Sequence, residues 1–218
     1  MTTSLTRKKT DNPLILNAVN SYLRKRLHSQ VTPFKKKHTV DTGMFSAPKL
    51  LHFFRQQDEN NRLLSEIKKL VHDDINPRDI LVVTTSVTCK RSLQDLIQST
   101  LKIPCEAIND ENKNRHSGHL GLCTLSFLER HALTSPYQFI TGLNLLVASE
   151  AQFHNEPEKE KNLIEKNSRQ LAMSMMRAQK QLTLLITADE IPTEFVSPEF
   201  EIPTINSKSI AEVRYLHG

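Results

Sequence analysis

Residues 79–101 read DILVVTTSVTCKRSLQDLIQSTL, and this stretch decides the fold. Its first seven residues are a continuous β-branched and apolar run, as expected of a strand covered on both faces rather than one with a wet side. The rest predicts a helix over 87–101, with Ser86 as the N-terminal cap. A doubly covered strand that feeds a helix is the unit of a parallel sheet, because parallel neighbours need a crossover between them.

The same alternation extends in both directions. Leu16, Val19, Leu23 and Leu27 recur at helical spacing and predict a helix over 13–28. LLHFFRQ predicts a short strand, and 58–74 predicts a helix with Leu63, Leu64, Ile67, Leu70 and Val71 on one face and Asp58 and Asn60 as candidate caps. IPCEAI and LGLCTL read as further strands. YQFITGLNLLVAS reads as another, broken at Gly142. Pro157 opens a long helix expected to run to about Lys180, with Ile164, Leu171, Met175, Ala178 and Leu182 on its inner face, and QLTLLIT is the last strand. The fold class is therefore α/β, a mainly parallel sheet flanked by helices. Three segments are expected: a basic helix and connector over 1–49, the sheet domain over 50–188, and an extended proline-containing tail over 189–218.

Composition narrows the functional classes. The 218 residues are 38% hydrophobic and 24% charged, with a mean hydropathy of −0.43, which suits one globular domain. No apolar run approaches the ~18 residues of a membrane span. The start, MTTSLTRKKT, has no apolar signal core. Cys89, Cys105 and Cys123 lack CxxC spacing and cannot all pair, so small core thiols in a reducing, cytoplasmic compartment are expected. Charge is uneven. Residues 1–40 hold nine basic side chains and one acid, a balance of +8 that leaves −3 for the rest of a chain whose net charge is +5. Lys8, Lys9, Arg24, Lys25, Arg26, Lys35, Lys36 and Lys37 form clusters suited to phosphates, which lysine and arginine neutralise with release of counterions. The bland alternative is a solvated surface that aids solubility.

Several catalytic patterns are excluded. None of the five glycines lies in GxxxxGK[ST], so no phosphate-cradling loop of that kind is present. Without one, Asp189 and Glu190 after LTLLITA read as ordinary acids at a strand end. His116, His119 and Cys123 in HSGHLGLC have metal-like spacing but no evident fourth ligand, and no metal is expected.

The stretch RQLAMSMMRAQKQLTLLI, together with the order of the other segments, resembles UvrD-like superfamily 1 DNA helicases, in which a helix of the form RRLLYVAxTRAxxxL precedes the last strand of the second RecA-like domain. Arg177-Ala178 falls on that Arg-Ala, Met176 replaces the usual threonine, and Leu182 keeps the register. NPLILNAVNSYL is similar to the opening of that domain. Residues 59–108 look like its block of helix, Pro-x-Asp-Ile strand, helix and Ile-Pro strand, and LGLCTLS looks like the start of its Thr-Leu-His signature. The resemblance spans about 12–187. It departs at Thr10 and near Thr85, where the family has arginines, and in the missing Lys-Gly-Leu-Glu, for which Leu128-Glu129 and Gly142-Leu143 are the candidate remnants. The domain many relatives insert between the Ile-Pro and Thr-Leu strands is absent, as is the whole ATP-binding first RecA-like domain. The resemblance implies a RecA-like domain, a P-loop NTPase-like fold without a P-loop. Arg177 would be a catalytic arginine finger acting only with a partner. The implied partners are nucleic acid, DNA rather than RNA, and a P-loop ATPase chain; ATP and magnesium would enter only with that chain. Three alternatives stay open: a split or truncated motor half, a degenerate non-catalytic nucleic-acid module, and a protein–protein interaction module.

Overall fold

The computed structural model describes residues 10–27, 45–110 and 116–203. Six strands form one sheet: Lys49–Phe53 (β1), Ile80–Thr84 (β2), Cys105–Ala107 (β3), Leu120–Thr124 (β4), Ser135–Thr141 (β5) and Ala178–Thr187 (β6). Their order is β1-β6-β5-β2-β4-β3, and every neighbouring pair is parallel. Six helices accompany them: Pro13–Arg26 (α1), Gln56–His72 (α2), Val87–Leu101 (α3), Leu125–Arg130 (α4), Leu143–Ala151 (α5) and Pro157–Met175 (α6). The fold is α/β with an all-parallel sheet covered on both faces, consistent with a RecA-like domain.

All residues of β2 and β4 are buried, as the unbroken apolar runs predict. Successive strand residues point to opposite faces, so one run fills two cores. Leu81 and Val83 join α1, α4 and α6 on one face; Ile80 and Val82 join α2 and α3 on the other. Ser86 caps α3 as expected, accepting from the Cys89 amide at 3.1 Å.

Four local expectations are corrected. The apolar run 137–149 is not one strand. It leaves the sheet after Thr141, passes through Gly142 at φ +75°, a conformation that favours glycine, and becomes α5. Asp58 and Asn60 lie inside α2, whose capping position is Arg55. Helix α4 was not anticipated; it forms because the Thr124 hydroxyl accepts from the Phe127 amide at 3.3 Å. Finally, α6 stops at Met175 and β6 starts at Ala178, so only Met176 and Arg177 join them.

The first helix and the chain after β6 share the main core. The Asn12 side chain caps α1 by accepting from the Leu14 and Ile15 amides and donates to the Lys180 carbonyl at 3.2 Å. The Thr10 amide donates to the Met176 carbonyl at 2.9 Å. Residues 189–203, expected as the start of an extended tail, are packed: Phe195 and Phe200 are buried, and Phe195 stacks on Tyr22 with ring centres 5.1 Å apart. The Glu201 backbone then runs beside β1, accepting from the Leu50 amide and donating to the Pro48 carbonyl, both at 2.9 Å.

Candidate interaction surface

In open parallel sheets, ligands meet the carboxyl ends of strands where neighbouring crossovers leave in opposite directions. The chain leaves β2 toward β3 through α3, and leaves β5 toward β6 through α5 and α6. Because β2 and β5 are adjacent, the switch point lies between Thr84 and Thr141. The chain's own hydrogen bonds tie this point together. The Thr85 hydroxyl donates to the Gly142 carbonyl at 3.0 Å, and the Thr84 hydroxyl donates to the Ser86 carbonyl at 2.8 Å. A Cβ at residue 142 would stand 3.1 Å from the Thr85 hydroxyl oxygen, so the approach also needs glycine for room. Thr85 is where the helicase resemblance expects an arginine; here a short hydroxyl fastens β2 to the start of α5.

Glu59, in the first turn of α2, is fully buried against these strand ends. Its carboxylate accepts from the Thr141 hydroxyl, from the Gly142 amide at 3.2 Å and from the Thr187 hydroxyl at 2.6 Å. One acid thus holds the ends of β5 and β6 and the entry to α5. Burying a carboxylate is costly unless its oxygens are bonded, and three donors meet that need.

Above this layer several large apolar side chains are exposed. Phe54, directly after β1, is 74% exposed, and Val87, opening α3 after β2, is 57% exposed. Leu145 and Val147 on α5, after β5, are 40% and 42% exposed. Among the described residues the other large apolar side chain this exposed is Val196, which follows the turn beside α1. Single exposed apolar residues are ordinary. Here they follow the ends of three strands, with the exposed acids Asp189 and Glu190 after the fourth.

The residues singled out in the sequence fall elsewhere. Arg177 lies at the opposite, amino end of β6. A finger acting on a partner would stand at the surface, but Arg177 is 1% exposed and is the largest fully buried side chain among the described residues. The two-residue junction explains this. The Arg177 amide donates to Ser174 at 2.9 Å and its carbonyl accepts from Ser135 at 3.1 Å, while Met175, Met176 and Ala178 are buried around it. The guanidinium is not displayed on the described surface.

The α1 cluster is divided. Arg24 is exposed. Lys25 donates to the carbonyls of Thr193, at 3.4 Å, and Val196. Arg26 pairs with Glu150, and with Glu194 at 3.2 Å. Burial opposes its charge, but the bonded Glu150 and neighbouring Glu194 outweigh that and raise its pKa above the ordinary value. Burial raises the pKa of the adjacent Tyr22 phenol as well. Arg26 is therefore a brace between α1, α5 and the turn at 193–195, not a free phosphate contact. Lys8, Lys9, Lys35, Lys36 and Lys37 lie outside the described residues.

Asp189 and Glu190 are exposed acids after the strand end, as read. All three cysteines are unpaired with one another; Cys105 and Cys123 are buried, and burial pushes the Cys105 thiol up to about 12. Cys123 sits in the core of β4. The side chain that completes a trio with His116 and His119 is Glu106 on β3. Glu59 and Glu106 carried no local signal in the sequence. Phe54 read as part of the LLHFFRQ strand, which in the structure ends at Phe53.

No family model and no curated protein sequence matches the chain. Among solved structures it is similar to the C-terminal domain of a possible DNA helicase from Lactobacillus plantarum WCFS1, with a TM-score of 0.58 and 11% identity, covering 89% of this chain and 98% of that one. At that identity the likeness concerns the fold. It shows an α/β architecture like that of the domain in that structure.

Proposed function

We propose that the chain is a non-catalytic helicase C-terminal-type module of the UvrD-like arrangement, which docks through the carboxyl edge of its sheet on a protein carrying a P-loop ATPase domain. The exposed apolar set Phe54, Val87, Leu145 and Val147 carries this reading. The fold likeness to a domain cut from a possible helicase supports it, as does the absence of GxxxxGK[ST] from the sequence. ATP and magnesium then belong to the partner, and the isolated chain hydrolyses no ATP. In the described conformation Arg177 does not reach such a partner; acting as a finger would require its guanidinium to leave the core. No helix among the described residues is long and apolar enough to cross a membrane, and three cysteines that share no disulfide suit a reducing cytoplasm.

The test is affinity purification from the source cells, followed by calorimetry on the purified pair. The expected partner carries a P-loop. Phe54→Asp combined with Leu145→Asp, both at exposed positions, should weaken binding about thirtyfold or more, as loss of interface anchors does. A partner without a P-loop, or unchanged affinity in a variant that melts normally, would overturn the proposal.

The charge of residues 1–40 favours a second property within the same reading: binding of nucleic acid, DNA before RNA. With Lys25 and Arg26 engaged internally, the candidates are Lys8, Lys9, Arg24, Lys35, Lys36 and Lys37. If about five phosphates are neutralised, log affinity for duplex DNA should fall against log salt with a slope of about −4 to −5. Reversing the charge of Lys35, Lys36 and Lys37 should flatten that slope. Binding indifferent to salt, or none at low salt, would leave a protein-only docking module.

A further inference from the structure

We infer that Glu106, His116 and His119 form a binding site for a divalent transition cation such as zinc, at the β3 edge of the sheet. The inference rests on local geometry and is independent of the docking proposal. One ligand atom from each of the three residues lies within 4.8 Å of the other two. His116 Nδ1 is already 2.9 Å from Glu106 Oε1, and the two imidazole ring centres are 5.4 Å apart.

Both halves of the trio are held in place. Glu106 lies in a strand bonded to β4 on either side of it: the Leu120 amide donates to Pro104 and the Ile108 amide to Leu122, both at 2.8 Å. The histidines flank a tight turn in which the His119 amide donates to the His116 carbonyl at 3.3 Å. Gly118 adopts φ +79°, and its amide donates to Asn76 Oδ1 at 3.4 Å, while the same oxygen accepts from the Arg78 amide at 3.0 Å. The His116 amide also donates to Glu106 Oε2, at 3.1 Å. The turn is thus fastened to the carboxylate before any ion arrives.

Two imidazoles and a carboxylate favour zinc, nickel, cobalt or copper over magnesium or calcium, which prefer an all-oxygen shell. Bonds of about 2.0–2.1 Å to a tetrahedral ion put ligand atoms about 3.3 Å apart. The trio must therefore contract by roughly an ångström or more at its widest, which the exposed His116 side chain can supply by rotation. Entry of the ion replaces the His116–Glu106 hydrogen bond with two coordinate bonds, and water completes the shell. The ion would clip the β3–β4 connection to an edge strand of only three residues.

The experiment uses the full chain without a polyhistidine tag, stripped with a chelator and titrated calorimetrically with zinc chloride, then with magnesium chloride. We expect one saturable zinc site per chain, no matching magnesium site, and a melting temperature raised by zinc, since a ligand bound only by the folded state stabilises it. Glu106→Gln and His119→Ala should each weaken zinc binding at least about tenfold and abolish most of the thermal shift. His154→Ala, at an exposed histidine elsewhere, should change neither. The inference fails if no saturable zinc site is found, if magnesium binds as well as zinc, or if the His154 variant loses as much affinity as the other two.

Discussion

Arg177→Ala should melt well below the parent chain. The side chain is the largest one fully buried among the described residues, so truncation leaves a cavity next to the junction of α6 and β6. Large-to-small changes in a core cost roughly 2–5 kcal/mol. For a chain of this length each kcal/mol moves the melting temperature by about 2–4 °C, so a drop on the order of 10 °C is expected. Leu171→Ala, in the main core, should behave alike. A finger held at a domain surface, as the helicase resemblance implies, would instead leave the melt nearly unchanged when removed. Arg177→Met, which keeps the stem and loses the guanidinium, separates packing from charge. A parent-like melt for Arg177→Met beside a low one for Arg177→Ala would assign the residue's role to volume. If Arg177→Ala itself melts like the parent, the buried position is wrong and an arginine acting in trans regains its place.

Glu59→Ala should be comparably damaging, for a different reason. Its carboxylate accepts three hydrogen bonds at the ends of β5 and β6. The two threonine hydroxyls can rotate toward other acceptors. The Gly142 amide cannot, since its direction is fixed by the backbone that starts α5. A buried donor left unpaired costs about 1–3 kcal/mol, and loss of the buried side chain adds a cavity term. Thermal melting should show a loss of roughly 3 kcal/mol or more, and hydrogen exchange at Gly142 should accelerate. Glu59→Gln keeps one acceptor oxygen and should lose less. Because α5 carries Leu145 and Val147, partner binding should weaken along with stability. An alanine variant with parent stability and a protected Gly142 amide would remove Glu59 from its place under this edge.

How far the sequence carries depends on whether a signal is local. Strand β2 and helix α3 were legible because a doubly buried strand is an apolar run, and Ser86 caps through an amide only three residues on. The division of 137–149 was not legible. Its apolar residues suit a strand or a buried helix equally, and the left-handed backbone at Gly142 decides between them. Arg177 sits at a helix end, where a cation is ordinarily solvated and favoured by the helix dipole. The two-residue junction that draws it inward is set by where β6 must begin to pair with β5. Glu59 reads as one more first-turn acid until Thr141 and Thr187, 82 and 128 residues away, arrive as donors. Glu106 lies ten residues from His116, outside any spacing by which a ligand set is recognised, which is why Cys123 looked the better third member.

The pairing of Glu201 alongside β1 has a consequence for how the molecule behaves in a crowd. A sheet ends in two rows of amide and carbonyl groups, and each open row is a template on which another chain can polymerise. On the β1 side, the returning backbone at 201 takes up part of that template, the Leu50 amide and the Pro48 carbonyl. On the other side, β3 offers a row of only three residues, too short to nucleate a stack. The carboxyl end of the described chain therefore works as a selvedge. It narrows one hydrogen-bonding border through which copies of the sheet could join, while the strand ends stay free for a chosen partner.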